Sequence, residues 1–421
     1  MAIHFELPGR RFETVPVLLL GGVNLVRSLG LAGIPAVVAS TNPDDPVFAS
    51  RYCAGRCVLP LLDKPEAAVD AIIGIGERLS TIHGRRIPLI YGSDDFLQVI
   101  YAQRERLQRY FLFLLSDAEV GEALMDKDRF QALAASRGIP VARVLEWEGE
   151  GPGSLAAAEG PVIVKPRTKH DWYDSQMRKR LFGDSKALIF PRGAELRAHP
   201  GFAHFHEQLS FQEYIPGDDR DLWSFHGIAD ESGAVLDSFV GRKIRTSPPL
   251  TGESAFIELA RDEGLSALGR EIAAKLPLRG PFKMDFKKDP RTGKWYLLEI
   301  NARFNLWMYL GARNGLNLVR TAYDYLLDGA RPVTTGMYAT DLRWLSLGLD
   351  FAAFRELRRR GELSWSRWLL SILLSRNVGN YFSWTDPGPC IRLWMNRFVR
   401  IWRRGPRKVL ALVRQWRSTA S

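Results

Sequence analysis

After a short polar stretch the chain begins an apolar run at Pro16–Leu20, followed by Gly21-Gly22 and then by apolar residues at helical spacing from Asn24 to Ala32. Gly33-Ile34-Pro35 stops that helix, and Ala36–Ala39 is a second short apolar run. Strand, tight turn, amphipathic helix, strand is the signature of a β-turn-α-β unit, and hence of a parallel sheet covered by helices. The same rhythm predicts a helix at Lys64–His83, a buried strand at Ile87–Tyr91 and, behind the cap Gly92-Ser93-Asp94-Asp95, a helix at Phe96–Glu105. Residues 1–120 are therefore expected to form a doubly wound α/β domain.

From residue 121 the pattern changes. Asp126-Lys127-Asp128 leads into a predicted helix, Arg129–Arg137, closed by Gly138-Ile139-Pro140. Pro161–Lys165 reads as a short β-branched strand, and the polar stretch Arg167–Lys186 as a mobile loop. Strands follow at Phe211–Ile215, Leu222–Ala229 and Val235–Lys243, with a turn at Asp230–Gly233, then a helix at Leu265–Leu276. Pro281–Lys287 and Lys294–Asn301 form a hairpin across Asp289-Pro290-Arg291-Thr292-Gly293, and Asn317–Leu327 is a helix. Adjacent strands joined by tight turns mark an α+β region, expected as two lobes at 121–215 and 216–335.

The hairpin carries the clearest chemistry. Side chains alternate faces along a strand. Phe282, Met284 and Phe286 on one strand, and Tyr296, Leu298 and Ile300 on the other, are expected to share the core face. Asp285 then shares the opposite face with Glu299, Asn301 and Arg303. With Pro290 opposite Lys294, Asp285 lies directly opposite Glu299, their Cβ atoms about 5 Å apart. Two carboxylates that close need a cation. An all-oxygen donor set suits Mg²⁺ or Mn²⁺ and not zinc, and Arg303 beside them suits a phosphate. A solvated sheet face, with Lys283 and Lys287 neutralising the acids, remains the competing reading of the hairpin alone.

Composition narrows the picture little: 46% hydrophobic and 25% charged residues are ordinary for a globular protein. Three cysteines, Cys53, Cys57 and Cys390, make no disulfide framework and indicate a reducing compartment. The N-terminus has no signal-peptide layout and no apolar run is long enough to span a bilayer, so the expectation is a cytoplasmic protein. The net charge of +11 is uneven: after Asp386 there is no acidic residue, while Arg392, Arg397, Arg400, Arg403, Arg404, Arg407, Lys408, Arg414 and Arg417 follow. The body is close to neutral, and nucleic acid is not an expected partner.

Taken in order, these features resemble the ATP-grasp superfamily, in particular its carboxylate–amine ligases of the D-aspartate ligase type, over roughly residues 16–329. Lys127 in LMDKDRF and Lys165 in PVIVKP resemble the family's two phosphate-binding lysines, and Asp285 in KMDF with Glu299-Ile300-Asn301 in LLEINAR resembles its metal-binding pattern. The resemblance implies that Gln212, Glu213, Tyr214 and Ile215 form the strand that pairs with adenine, with Asp219 on the ribose. It implies that Lys243, and after it Arg245, face the γ-phosphate together with Arg303. On the substrate side, Asn24, Arg27 and Asp95 lie at strand ends where open α/β sheets bind ligands. Asp285 stands where the family more often has Glu, and Arg167-Thr168-Lys169-His170 replaces its compact Gly-rich loop.

The implied cofactors are ATP and two Mg²⁺ or Mn²⁺ ions, and the implied reaction joins a small-molecule carboxylate to an amine through an acyl phosphate. A catalytically silent ATP-binding sensor or scaffold at a membrane is the alternative. The extension 336–421, basic and rich in Trp (Trp344, Trp365, Trp368, Trp384, Trp394, Trp402 and Trp416), is expected to be helical. Two readings of it stay open: a layer packed on the catalytic body, or a peripheral contact with the inner face of a membrane. A homodimer is also compatible with the chain.

Overall fold

A computed structural model describes residues 5–6, 11–183, 185–333 and 336–400. The first part is a six-stranded sheet: β1 (Phe5–Glu6), β2 (Val17–Leu20), β3 (Ala36–Ser40), β4 (Cys53–Val58), β5 (Ile87–Tyr91) and β6 (Phe111–Leu112), in the order β1-β4-β3-β2-β5-β6. All neighbours are parallel except β1 and β4. Strand order reverses between β2 and β5, the point at which an open α/β sheet has a crevice beyond its carboxyl edge. The turns after both strands are glycine, and the Leu25 side chain would have to shift to admit anything larger. A Cβ on Gly21 would lie 2.7 Å, and one on Gly92 2.8 Å, from the Leu25 Cδ1 methyl.

β4 was not predicted. Its residues CAGRCV include no β-branched residue before Val58, and its pairing with β3 rather than its own propensity makes it a strand. Cys57 is buried there and burial pushes its thiol up to about 12, which makes it an inert packing group.

The small sheet, β8-β7-β9, consists of β7 (Val162–Pro166), β8 (Leu188–Phe190) and β9 (Leu209–Glu213), all antiparallel. β9 begins and ends two residues earlier than predicted. The stretch after β7 is not a loop but three short helical turns, Lys169–Tyr173, Ser175–Met177 and Arg178–Phe182. Thr168 and Asp171 cap the first reciprocally, and Met177 and Phe182 are buried in the core of this lobe.

The large sheet has the order β14-β13-β10-β11-β12-β15-β16. Its strands are β10 (Leu222–Ala229), β11 (Val235–Ser247), β12 (Glu253–Ala260), β13 (Gly280–Lys288), β14 (Trp295–Asn301), β15 (Leu342–Leu345) and β16 (Arg376–Gly379). Helix Glu263–Lys275 covers one face, packing Leu265 and Ile272 on Phe225, Met284 and Phe286. β12 was not predicted either; it is buried on both faces and so shows no polar–apolar alternation.

Two features fuse the parts. Helix Val23–Leu31 of the first sheet shares one core with Trp307, Leu318 and Trp344 of the large lobe. The extension is helical at Leu347–Arg359 and Trp365–Leu373, but it also contributes β15 and β16 and returns to the first domain at Asp386. Trp344 and Trp368 are buried, so this half of the extension is part of the body. No helix among the described residues is long and apolar enough to cross a membrane. Trp402, Trp416 and the basic residues from Arg403 onward lie outside the described residues.

Candidate active site

Asp285 and Glu299 are paired directly across β13 and β14, and Lys283 is paired with Asn301. The route to that pairing differs from the prediction. Asp289, not Pro290, faces Lys294 at the turn, since the Asp289 N–H donates to the Lys294 carbonyl at 2.9 Å. From the turn the register therefore runs one residue out, as Phe286↔Leu297 and Lys287↔Tyr296. A bulge between Asp285 and Phe286 absorbs the difference. The bulge also re-aims Leu298. Leu297 and Ile300 enter the core, whereas Leu298 lines the cleft instead of packing inside as alternation implied.

Asp285 is buried and densely solvated by protein. Lys283 Nζ lies 2.6 Å and Lys243 Nζ 4.0 Å from its Oδ2, and Ser224 from β10 donates to Oδ1. Burial alone raises its pKa, but the Lys243 and Lys283 ammoniums and the two hydrogen bonds outweigh burial and hold it well below the usual carboxylate range. Glu299 is exposed to the cleft, and the Asn301 amide donates to it at 3.2 Å. Ser224 escaped sequence reading because β10 and β13, which pair, are far apart in the chain.

The opposite wall carries the two predicted lysines. Asp126 caps helix Lys127–Ser136 through the N–H groups of Asp128 and Arg129, which puts Lys127 on the first turn. Arg167, at the end of β7, bonds to Asp126 at 2.9 Å, and its carbonyl accepts from the Lys127 N–H at 3.1 Å. That clasp brings Lys127 alongside Lys165. Arg167 and Thr168 thus do structural work at the position of the expected Gly-rich loop; the side chain of His170 lies outside the described residues. Burial lowers both lysines, Lys165 to about 8.

One cavity of about 1370 Å³ includes Lys127, Lys165, Lys243, Lys283, Asp285, Glu299, Asn301 and Arg303. It continues to the switch point of the first sheet at Gly22 and Gly92. There Asp94, not the predicted Asp95, reaches the site. Ser93 caps helix Asp94–Ala102, and the helical turn aims Asp94 at Arg303, whose Nη2 lies 3.1 Å from its Oδ2. Asp95 is not on the cavity wall. Asn24 borders the cavity, but it binds Asn380 at 2.9 Å and the Trp344 indole at 3.1 Å.

Four predicted residues have other work. Arg27 is fully buried, with Nε 2.9 Å from Asp386 and further bonds to the carbonyls of Asn380, Tyr381 and Asp386. It holds the extension and not a substrate. Arg245 lies on the far side of the sheet, bonded to the buried Asp350 at 2.6 and 3.1 Å. A bulge between Lys243 and Arg245 breaks the alternation that would have kept both in the cleft. Asp219 is buried and accepts from Thr246 N, Thr246 Oγ1 and Leu250 N, at 2.7 to 2.8 Å, stapling the end of β11 rather than facing a ribose. Glu213 turns outward to Arg143 at 2.6 Å.

Of the hinge, Gln212 is held near Lys165 and bonds Ser210 at 3.1 Å. The N–H groups of Glu213 and Tyr214 are taken by the carbonyls of Arg143 and Pro161. The Ile215 N–H has no protein partner among the described residues.

No family model matches the chain. It is similar to the D-aspartate ligase of Enterococcus faecium, with 24% identity over 367 residues, covering 83% of this chain and 86% of that one. Its fold is similar to that of N5-carboxyaminoimidazole synthetase from Staphylococcus aureus complexed with ADP, at 13% identity and a TM-score of 0.56, covering 78% and 81% of the two chains. It is also similar to the biotin carboxylase domain dimer of Hydrogenobacter thermophilus 2-oxoglutarate carboxylase with MgADP and bicarbonate, at 14% identity and a TM-score of 0.55, covering 78% and 73%. The fold is thus the ATP-grasp fold, a cleft between a small and a large sheet behind an α/β domain. The similarity to D-aspartate ligase extends over most of both chains.

Proposed function

We propose that the protein uses ATP to activate a substrate carboxylate as an acyl phosphate, which an amine then attacks to give an amide, ADP and phosphate. The observation that carries this reading is the single cleft with the facing carboxylates Asp285 and Glu299 at one wall and Lys127 and Lys165 at the other. Residues 121–215 and 216–335 are the two lobes that close on nucleotide, 1–120 supplies the far end of the cleft, and 336–421 is the extension.

The donor set tests the implied metal. Among the described residues no three His, Cys, Asp or Glu side chains converge as a closed metal cage. Two carboxylates and the Asn301 amide make an open, all-oxygen site with room for phosphate and water, which fits two Mg²⁺ or Mn²⁺ ions. Asp285, Glu299 and Asn301 would hold the ions, which would supply positive charge to offset that of the phosphates.

The remaining work falls to the chain. Lys127 and Lys165 hold the α- and β-phosphates. Leu298 and Ile163 give the base an apolar seat, and the Ile215 N–H, without a protein partner among the described residues, is the donor left for its edge. Lys243 and Arg303 stabilise the charge that develops on the transferred phosphoryl group, by position rather than by a protein nucleophile. Asp94 orients the Arg303 guanidinium. The test is Glu299→Ala, assayed for ADP release with mixtures of acids and amines. Turnover is expected to fall by about a thousandfold or more. Full activity in that variant would remove the metal assignment.

A further inference from the structure

We propose that helical residues 388–400 are a docking element for an anionic lipid bilayer. The helix starts from a fixed post. Asp386 is buried against Arg27 and also accepts from Ser50 Oγ and the Arg51 N–H, both at 2.8 Å. Its polar side faces the body: Arg392 binds the Asp44 carboxylate at 2.6 Å, and Asn396 the Asp44 carbonyl at 2.7 Å.

The apolar side faces out. Ile391 is 56% exposed, Trp394 62%, Met395 55%, Phe398 70% and Val399 41%. Their spacing, i, i+3, i+4, i+7 and i+8, makes one continuous stripe. A surface helix ordinarily buries that stripe and exposes its polar side; this one does the reverse. Arg397 flanks the stripe over the Trp394 ring, Arg400 is exposed on the last described turn, and no acidic residue follows Asp386, while six more Arg and Lys lie beyond position 400.

Charge selects the occupant. A second copy of the chain would set one arginine cluster against another. An anionic surface attracts the same arginines, and Trp and Phe between them suit the headgroup boundary. Arg392, Arg397 and Arg400 interrupt the apolar residues of this segment, which leaves no uncharged run long enough to cross the roughly 30 Å hydrocarbon core, so it would lie in the plane of the surface.

The test is co-sedimentation of the full chain with phosphatidylcholine vesicles, with and without phosphatidylglycerol. Phosphatidylglycerol is expected to raise partitioning by about tenfold or more, with loss at high salt. The double variant Trp394→Ser with Phe398→Ser should lose about tenfold, with its circular dichroism and ATP turnover unchanged. Arg397→Glu with Arg400→Glu, which leaves the stripe intact, should lose binding to the phosphatidylglycerol vesicles alone. Three outcomes would overturn the proposal. One is equal binding to both vesicle types or to neither. Another is stripe variants that bind like the parent chain. The third is a dimer by light scattering that the stripe variants dissolve, which would make the stripe a contact between copies. None of these outcomes bears on turnover, so the ligase reading stands or falls separately.

Discussion

Two strands of the large sheet, β14 and β11, each carry an irregularity beside the cleft, with opposite results. In β14 the bulge compensates for a turn that runs one residue out, so Glu299 still meets Asp285. In β11 the bulge after Lys243 sends Arg245 through the sheet to Asp350. A single inserted residue therefore keeps one expected pair of side chains together and separates another. Both strands read alike as alternating sequence, and the difference lies only in how each is paired.

The sharpest way to break this comparison is to truncate the two cations of β11. Lys243→Ala should lower kcat about a hundredfold with little change in melting temperature, because it removes charge stabilisation from an accessible cleft. Arg245→Ala should do the converse. It leaves the buried Asp350 without its ion pair, so a loss of about 3–5 kcal/mol in denaturant unfolding is expected, with kcat of the folded fraction retained. If Arg245→Ala instead cuts turnover in a stable protein, the bulge does not separate the two roles.

The regular strand β7 offers a contrast. Lys165 keeps its predicted place and burial holds its ammonium at about 8, against an ordinary 10.5. Below that value the free protein presents a charged lysine; above it, a neutral one that nucleotide binding must reprotonate. ATP affinity by calorimetry should be flat below about pH 8 and fall by up to about tenfold per unit above it. Stability has the opposite sign. The folded pKa lies below the unfolded one, so the fold gains from this group as pH rises from about 8 toward 10.5. A flat affinity profile would mean that Lys165 does not meet phosphate. The smallest effect belongs to β14: Leu298→Ala should raise the KM for ATP about fivefold with little loss of stability, since the bulge places Leu298 in the cleft rather than the core. A loss of several kcal/mol instead would return it to the core.

How much of this was legible in the sequence follows from the kind of information each feature needs. The β-turn-α-β units, the strand at Ile87–Tyr91 and the strand at Leu222–Ala229 were readable because burial on one helix stripe or one strand run leaves a periodic trace. The facing acids were readable because a hairpin is local. β4 and β12 were not, since the first depends on its neighbour and the second is buried on both faces. Asp94 lost to Asp95 because adjacent residues of a capped first turn differ only in rotation about the helix axis. Arg27, Arg245 and Asp219 look like site residues by type and position, but each is paired with a group far along the chain that no local pattern reveals. The comparison with D-aspartate ligase carries no residue roles and leaves these assignments to structure.

The pairing of Arg27 with Asp386 spans 359 positions and has no solvent to replace it. Arg27 sits in helix Val23–Leu31 and is made 359 residues before the carboxylate it pairs with. Until then that guanidinium lacks the carboxylate and carbonyls that hold it, and removal of a buried charge's partner costs several kcal/mol. The order of synthesis therefore cannot be the order of folding for this part of the molecule. A chain cut short before Asp386 should be treated as an incomplete first domain as much as a shortened last one.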